Sequence, residues 1–411
     1  MNFIKIKFLF LSFFIIINCL EAQHCKDFLV YDGMEKVVKF GMDSTTHWWA
    51  ITEPFTNKNR VLIDGSSSDV YQSVSEPIFS PDGYRWAFAA CDNNYCYIVS
   101  NEEKISLPFV KITEITFSPN SQALVYAYKE TEDEIIVLPN RKIKVYARYG
   151  SMYLSSGGER IAFMGRRVDG FVLNINGQES SIFDEIKPFG FWQDGTFLFA
   201  GRSGDRWQIY KDGKAYPESY TGIFEPTLNL SANCAAFSGT LLSGKQVAVL
   251  ISEEYYEPLI SKQYDIIENI TLHPNSPLVA FTATNDGTHY VVLSSSEYFA
   301  PGNFSKIRFT YDGSELFFMG CQTDCYANIN GRKFPMNSLI DLQYTFACKP
   351  GTRTIAYSTS SSIVFRYIER KELYSGMMTD ATSPARYNWR TDRYEALGSI
   401  NNRIYLMTCK N

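Results

Sequence analysis

The chain repeats itself about every 38 residues: a short turn flanked by two strand-like runs recurs ten times along it. The clearest copy, FSPDGYRWAFAA, runs from Phe79 to Ala90. Related copies are FSPNSQALVYA at Phe117, SSGGERIAF ending at Phe163, FWQDGTFLFA at Phe191, LHPNSPLVAF at Leu272 and FTYDGSELFF at Phe309. Weaker copies stand at Phe40, Leu230, Cys348 and Trp389. The last apolar residues of the ten copies are Ile51, Phe88, Tyr126, Phe163, Phe199, Phe237, Phe281, Phe318, Tyr357 and Leu397, at gaps of 36 to 44 residues. No unit of that length can bury both faces of its own small sheet, so neighbours must cover one another.

A period near 38 accommodates four short strands and four tight turns, and the Asp-Gly and Pro-Asn pairs suit those turns. In the second unit the expected strands are B from Arg85 to Ala90, C from Tyr95 to Val99 and D near Ile105 to Phe109. Strand A ends at the Phe-Ser before the turn. These features predict an all-β fold, a single β-propeller of about ten four-stranded blades. The count drops to eight or nine if the degenerate copies at Phe40 and Leu230 are not blades. The last unit stops after its strand C, Arg403 to Thr408, and the stretch Lys26 to Tyr31 has no strand C before it. The N-terminal strand is therefore expected to complete the C-terminal blade and close the ring, since an unpaired strand edge is an aggregation hazard.

Residues 1–22 place Lys5 and Lys7 before the apolar run Phe8 to Ile17, with Leu20, Glu21 and Ala22 preceding Gln23. That is the layout of a cleaved signal peptide, leaving a propeller over 23–411. A run of ten residues is too short to span a bilayer, and no transmembrane segment is expected in the mature chain. Lipid anchoring at Cys19 is the less favoured reading, because Asn18 stands where a small residue is wanted. The protein is expected to be exported, to the periplasm or outside the cell. A formal net charge of -5 with no basic run removes the electrostatic footprint of a nucleic-acid binder.

Eight of the nine cysteines lie beyond residue 22, an even number in an exported chain, so disulfides are the default. Cys91 and Cys96, and likewise Cys321 and Cys325, each begin three residues past a repeat anchor and flank the expected B–C turn. Cys25 opens the closing strand and Cys409 ends its expected partner, so these two should meet across the seam. Cys234 and Cys348, three blades apart, should stay unpaired. A metal site would need about four converging ligands, and the histidines are scattered at 24, 47, 273 and 289.

The repeat copies resemble the WD40-like (PD40) repeat of TolB-type propellers, found also in the propeller domains of prolyl-oligopeptidase-type peptidases. The resemblance covers nearly the whole mature chain. It implies a binding platform in the cell envelope or outside the cell, and it carries over no catalytic residue.

Candidate chemistry is sparse. Gly239 to Lys245, GTLLSGK, has P-loop spacing, but Gln246 replaces the magnesium-binding hydroxyl and strands flank the segment, so it reads as a hairpin turn. Neither GxSxG nor HExxH occurs. The Asp-Gly pairs at 82, 194, 212, 286 and 312 read as turns rather than calcium loops. No catalytic residue, cofactor or metal is therefore assigned. Asn229, Asn269 and Asn303 begin glycosylation sequons. Charge gathers in the loop Lys129 to Glu134 and in the next two expected loops, which offers a partner-binding rim of Glu130, Glu132, Asp133, Arg166, Arg167, Arg202 and Arg206. The function expected is an exported, non-enzymatic, protein-binding scaffold whose partner is an unknown protein or envelope component. The alternatives are an enzyme, a lyase or hydrolase with its site in the central channel, and a structural component of an extracellular assembly.

Overall fold

The computed structural model describes residues 25–410 apart from 46, 132, 147, 256, 295, 301–302, 305, 322–324, 337–345 and 369–372. The segment read as a signal peptide, with Cys19, lies outside the described residues. All regular structure among the described residues is strand, and it falls into ten antiparallel sheets. They are blades 1 (36–67), 2 (73–108), 3 (111–145), 4 (148–179), 5 (185–220), 6 (222–260), 7 (266–299), 8 (303–336), 9 (346–375) and 10 (381–410 with 25–31). Among the described residues no helix is long and apolar enough to cross a membrane.

Each blade is a four-strand meander A-B-C-D, and the degenerate copies at Phe40 and Leu230 are full blades. In blade 2 strand B is Trp86–Cys91, C is Tyr95–Ser100 and D is Lys104–Pro108, each within a residue or two of expectation. First strands of successive blades pack on each other, as Arg148–Leu154 does with Glu185–Phe191, so strand A faces the axis. Strand A is also the irregular strand. It is broken in two in blades 2, 8 and 10, and in blades 1 and 3 to 7 its register slips once against strand B. An extra residue bends and twists a strand, which suits a line of residues curving along the axis.

Ten apolar clusters fill the spaces between blades, and each draws on two neighbouring blades only. The cluster of Met42, Trp48, Ala50 and Leu62 with Leu397 and Ile404 joins blade 1 to blade 10. Ten blades with ten interfaces make a closed ring.

The alternation of a strand explains how these interfaces fit. Phe199 in strand B of blade 5 points to blade 4, and its neighbour Ala200 points to blade 6. The pairing is large against small at five consecutive interfaces: Ala127 with Phe163, Ala162 with Phe199, Ala200 with Phe237, Ala236 with Phe281, and Ala280 with Phe318. Close-packed interiors need such complementarity, because a void or an overlap each costs stability. Two of the ten sequence anchors are out of phase. Ile51 and Leu397 face the following blade, and the residues equivalent to the other anchors are Ala50 and Ala396. Position along the repeat cannot separate a one-residue shift, yet such a shift changes which interface a side chain enters.

Closure follows the expected route. Cys25–Tyr31 pairs antiparallel with Arg403–Lys410, with Cys25 opposite Cys409. Their disulfide joins Cα atoms 4.0 Å apart and sits where the other blades have a C–D turn. Cys91–Cys96 and Cys321–Cys325 are disulfides that join directly opposed residues across B–C hairpins. Cys234 and Cys348 are free.

Candidate functional site

A meander of four strands sends its A–B and C–D turns to one face of the ring and its B–C turns and D–A links to the other. The candidate rim lies on the B–C face, on hairpins of three successive blades. Glu130 pairs with Asp133 in blade 3, Arg167 with Gly170 in blade 4, and Ser203 with Arg206 in blade 5. Their charges are engaged close to home. Asp133 pairs with Lys144 and Arg167 with Glu179, while Arg202 lies 3.5 Å from Glu185 and Arg206 3.9 Å from Asp205. No ion pair among the described residues links the acidic hairpin to the arginines. Glu130 and Arg166 are exposed, and Glu132 lies outside the described residues.

Glu134, the last residue of the acidic run, turns inward. Arg148 at the start of strand A of blade 4 donates to both of its carboxylate oxygens, at 2.7 and 2.8 Å, and also to Glu114. Thr113 donates to Glu134, and Glu114 accepts from the Met152 N–H at 3.1 Å. Burial alone would push the Glu134 carboxyl up, but the bonds from Arg148 and Thr113 and the guanidinium charge outweigh it and hold the carboxyl below its ordinary value. A buried carboxylate, Glu134, and a half-buried one, Glu114, that share one arginine in this way tie blade 3 to blade 4. Glu395 in blade 10 is similarly occupied, accepting from Asn388 at 3.0 Å and Thr391 at 2.9 Å.

The opposite face is a belt of A–B turns, and from blade 2 round to blade 10 each is bonded to the next. The Asp82 N–H donates to Ser121, the Asn120 N–H to the Ser156 carbonyl, and Arg160 to the Gly195 carbonyl. Gln193 reaches the Leu230 carbonyl at 2.6 Å, Asn229 the His273 carbonyl at 2.6 Å, and His273 Nε2 lies 2.9 Å from the Gly313 carbonyl. The Gly351 N–H donates to Glu315 at 3.0 Å, and Lys349 pairs with Asp392 at 2.6 Å. Asn229 thus spends its amide inside the belt, and Asn269 donates to Thr282 at 3.2 Å. The side chain of Asn303 is not described.

A second recurring device escaped the sequence reading. In the C–D turn an Asn or Asp accepts from the first N–H of strand B: Asp64 from Trp48, Asn101 from Trp86, Asn176 from Ile161, Asp212 from Phe197 and Asn330 from Leu316. The signal was legible as an Asx residue 14 to 16 positions after the start of strand B. GTLLSGK is the B–C hairpin of blade 6, closed by the Leu241 N–H on the Lys245 carbonyl at 2.8 Å.

Two concavities complete the surface. At the edge between blades 6 and 7 a cleft of about 540 Å³ is lined by Leu250, Leu259, Ile260, Leu278 and Phe281, with Lys262 and Glu297 paired at its polar end. It exists because strand D of blade 6 is two residues long. The other, about 390 Å³, lies on the belt face where the A–B turns of blades 10, 1 and 2 meet, lined by Ser44, Asp82, Tyr84, Tyr387, Trp389 and Arg390 among others. Among the described residues no group of three or more His, Cys, Asp or Glu could hold a metal ion.

The architecture is a ten-bladed β-propeller. Comparison with protein-family models and with curated proteins finds no match. Among solved structures, dihydro-heme d1 dehydrogenase NirN, in complex with DHE, is similar at 15% identity and a TM-score of 0.37 over 73% of this chain and 75% of that one. The β-propeller domain of the Trilobed protease from Pyrococcus furiosus gives 12% and 0.33, over 64% of this chain and 97% of that one. The Dos1 propeller gives 11% and 0.35, over 74% and 93%. Likeness at this level carries no argument about what this chain does.

Proposed function

We propose that the chain is an exported, non-enzymatic scaffold of the cell envelope or the extracellular space, and that it presents the B–C hairpins of blades 3, 4 and 5 to a protein partner. The observation that carries this reading is the arrangement of those hairpins: three charged loops side by side on one face, each continuous with a rigid four-stranded sheet. Loops set on a stiff scaffold are where binding residues concentrate. Export is supported by the N-terminal charge and apolar pattern and by three disulfides, which persist in oxidising compartments. The turn motif supports kinship with TolB-type propellers, whose role is binding. A non-enzymatic role is supported by the way Glu114, Glu134 and Glu395 spend their carboxylates on the fold.

The test is capture of partners by the mature, oxidised protein from its native host, followed by cross-linking mass spectrometry. Cross-links should concentrate at residues 130–133, 166–167 and 202–206, and the double charge reversal Arg166→Glu/Arg202→Glu should abolish capture. Unchanged capture, or cross-links confined to the belt face, overturns the assignment.

A further inference from the structure

We propose that the cleft between the A–B turns of blades 10, 1 and 2 binds an anionic sugar residue of an acidic glycan, stacked on Tyr84 and Trp389 and paired with Arg390. The site lies on the face opposite the B–C hairpins, so it stands on its own geometry and can fail without them.

The first observation is exposed aromatic surface where the fold does not require it. Tyr84 is 74% and Trp389 60% exposed, although both belong to tightly held turns. A further exposed ring, Tyr311, stacks on Tyr387 at 6.0 Å and extends the aromatic row along the same face. Aromatic rings left in water carry the largest latent gain on covering, at about 25 cal/mol per Å².

The second observation is an uncommitted cation between those rings. The Arg390 guanidinium lies 5.3 Å from the centre of Trp389 and 5.9 Å from that of Tyr84. No ion pair or side-chain hydrogen bond of Arg390 forms among the described residues, so its donors are unspent. These cation–π contacts do not use the N–H groups of the guanidinium, which are the part that grips a carboxylate or sulfate through two parallel bonds.

The third observation is that the support is rigid. Asn388 Oδ1 accepts the Arg390 and Thr391 N–H groups at 3.0 and 3.3 Å, and its amide is anchored on buried Glu395. The Tyr84 N–H sits on Asp82 at 3.1 Å, and Asp82 is fixed in turn by Ser80 and Ser121. A site whose walls are already ordered loses little entropy on binding.

These features select the ligand class. A cationic ligand is excluded, because the aromatic pair already carries its own cation. Nucleic acid would need many cations, and one arginine in a chain of net charge -5 does not provide them. A densely charged phosphate would meet the Asp82 carboxylate, which its hydrogen bonds to Ser80, Tyr84 and Ser121 keep ionised. A sugar acid satisfies all the walls together: its C–H face covers the rings, its single negative charge pairs with Arg390, and its hydroxyls donate to Asp82. A volume of about 390 Å³ falls at the lower end of the small-molecule range, suited to one or two sugar units.

The experiment titrates the mature, oxidised protein with two acidic probes, a tetrasaccharide alternating glucuronate with N-acetylglucosamine and N-acetylneuraminyl-lactose. The controls are their neutral counterparts, diacetylchitobiose and lactose, together with free glucuronate and inorganic sulfate. Binding is read by tryptophan fluorescence and by saturation-transfer NMR. At least one acidic oligosaccharide should bind saturably, with the neutral counterpart weaker by about tenfold or more. Trp389→Ala should weaken binding by a similar factor, and Arg390→Gln should abolish the preference for acid while the melting temperature stays unchanged. Absence of saturable binding up to millimolar concentration overturns the proposal, as does binding that survives both substitutions. Sulfate that competes as well as the glycan would show a simple anion site and also overturn it. Free glucuronate that matches the oligosaccharide would assign the site to a free sugar acid, and would overturn the glycan as its ligand.

Discussion

Many side chains in this ring close a turn or fill an interface, and the titratable ones show the difference most clearly. Glu134 is held ionised by Arg148 below its ordinary value of 4.5. A carboxyl lowered in the folded state contributes stability that is complete above the unfolded value and is lost as pH falls through the folded one. Wild-type protein should therefore outlast Glu134→Gln by a constant margin from pH 7 down to about 4.5. Below that the two melting temperatures should converge, in thermal denaturation followed by circular dichroism. A margin that grows on acidification would contradict the triad. Cys234 and Cys348 give a second test. Burial pushes the Cys234 thiol up to about 11 and that of Cys348 up to about 12, so neither ionises near neutrality. Iodoacetamide at pH 8 should label neither thiol in the folded protein and both in denaturant, read by intact mass. Residue-scale function was the least legible part of the sequence. Tyr84 and Trp389 are each an ordinary residue beside a turn, and 305 positions separate them; only the closing of blade 10 onto blades 1 and 2 sets them either side of Arg390.

At the scale of strands and turns the sequence was far more open to reading, because local chemistry decides local geometry. Asp212-Gly213 shows why: with φ of 45° and 78° the pair adopts the mirror-image turn that matches strand twist, and those two residue types tolerate it. The repeat length, the strand order and the two hairpin disulfides follow from such local signs, while the seam disulfide follows from matching the incomplete first and last units. The phase of strand B did not follow in blades 1 and 10, since the equivalent position there is an alanine next to a larger apolar residue, Ala50 beside Ile51 and Ala396 beside Leu397, and the larger one reads as the anchor. The large-against-small pairing makes a quantitative claim at this scale. Phe237→Ala should cost about 3 to 5 kcal/mol through the cavity it leaves, and Ala200→Leu about 1 to 3 by overfilling the same cluster. Both residues are fully buried between blades 5 and 6. The double variant should be more stable than the sum of the two losses predicts, because the added leucine carbons occupy space that the missing ring vacated. Strict additivity in urea denaturation would mean that the two side chains do not share a space.

For the whole molecule, ten blades divide the circle into wedges of about 36°, narrower than in rings of the usual four to eight. Neighbouring sheets then lie more nearly parallel, and an alanine facing a phenylalanine can fill the gap along much of its depth. A ring of this kind has many weak interfaces and one covalent interruption, so its stability is most exposed at the seam between Cys25–Tyr31 and Arg403–Lys410. Without the first of these strands, blade 10 would show a bare edge and the blade 10 to blade 1 cluster would lose Val30 and Tyr31. The Cys25–Cys409 disulfide closes a loop of 384 residues, against 5 and 4 for the hairpin disulfides. On the chain-entropy model that difference corresponds to about 6 kcal/mol for the seam and about 2 for a hairpin. Cys25→Ser/Cys409→Ser should therefore lower the melting temperature several times more than Cys91→Ser/Cys96→Ser. It should also open the link at residues 32–35 to limited proteolysis under conditions that leave the wild type intact. Equal losses from the two double variants would show that strand pairing alone holds the ring shut and that the clamp restrains an end which does not otherwise leave.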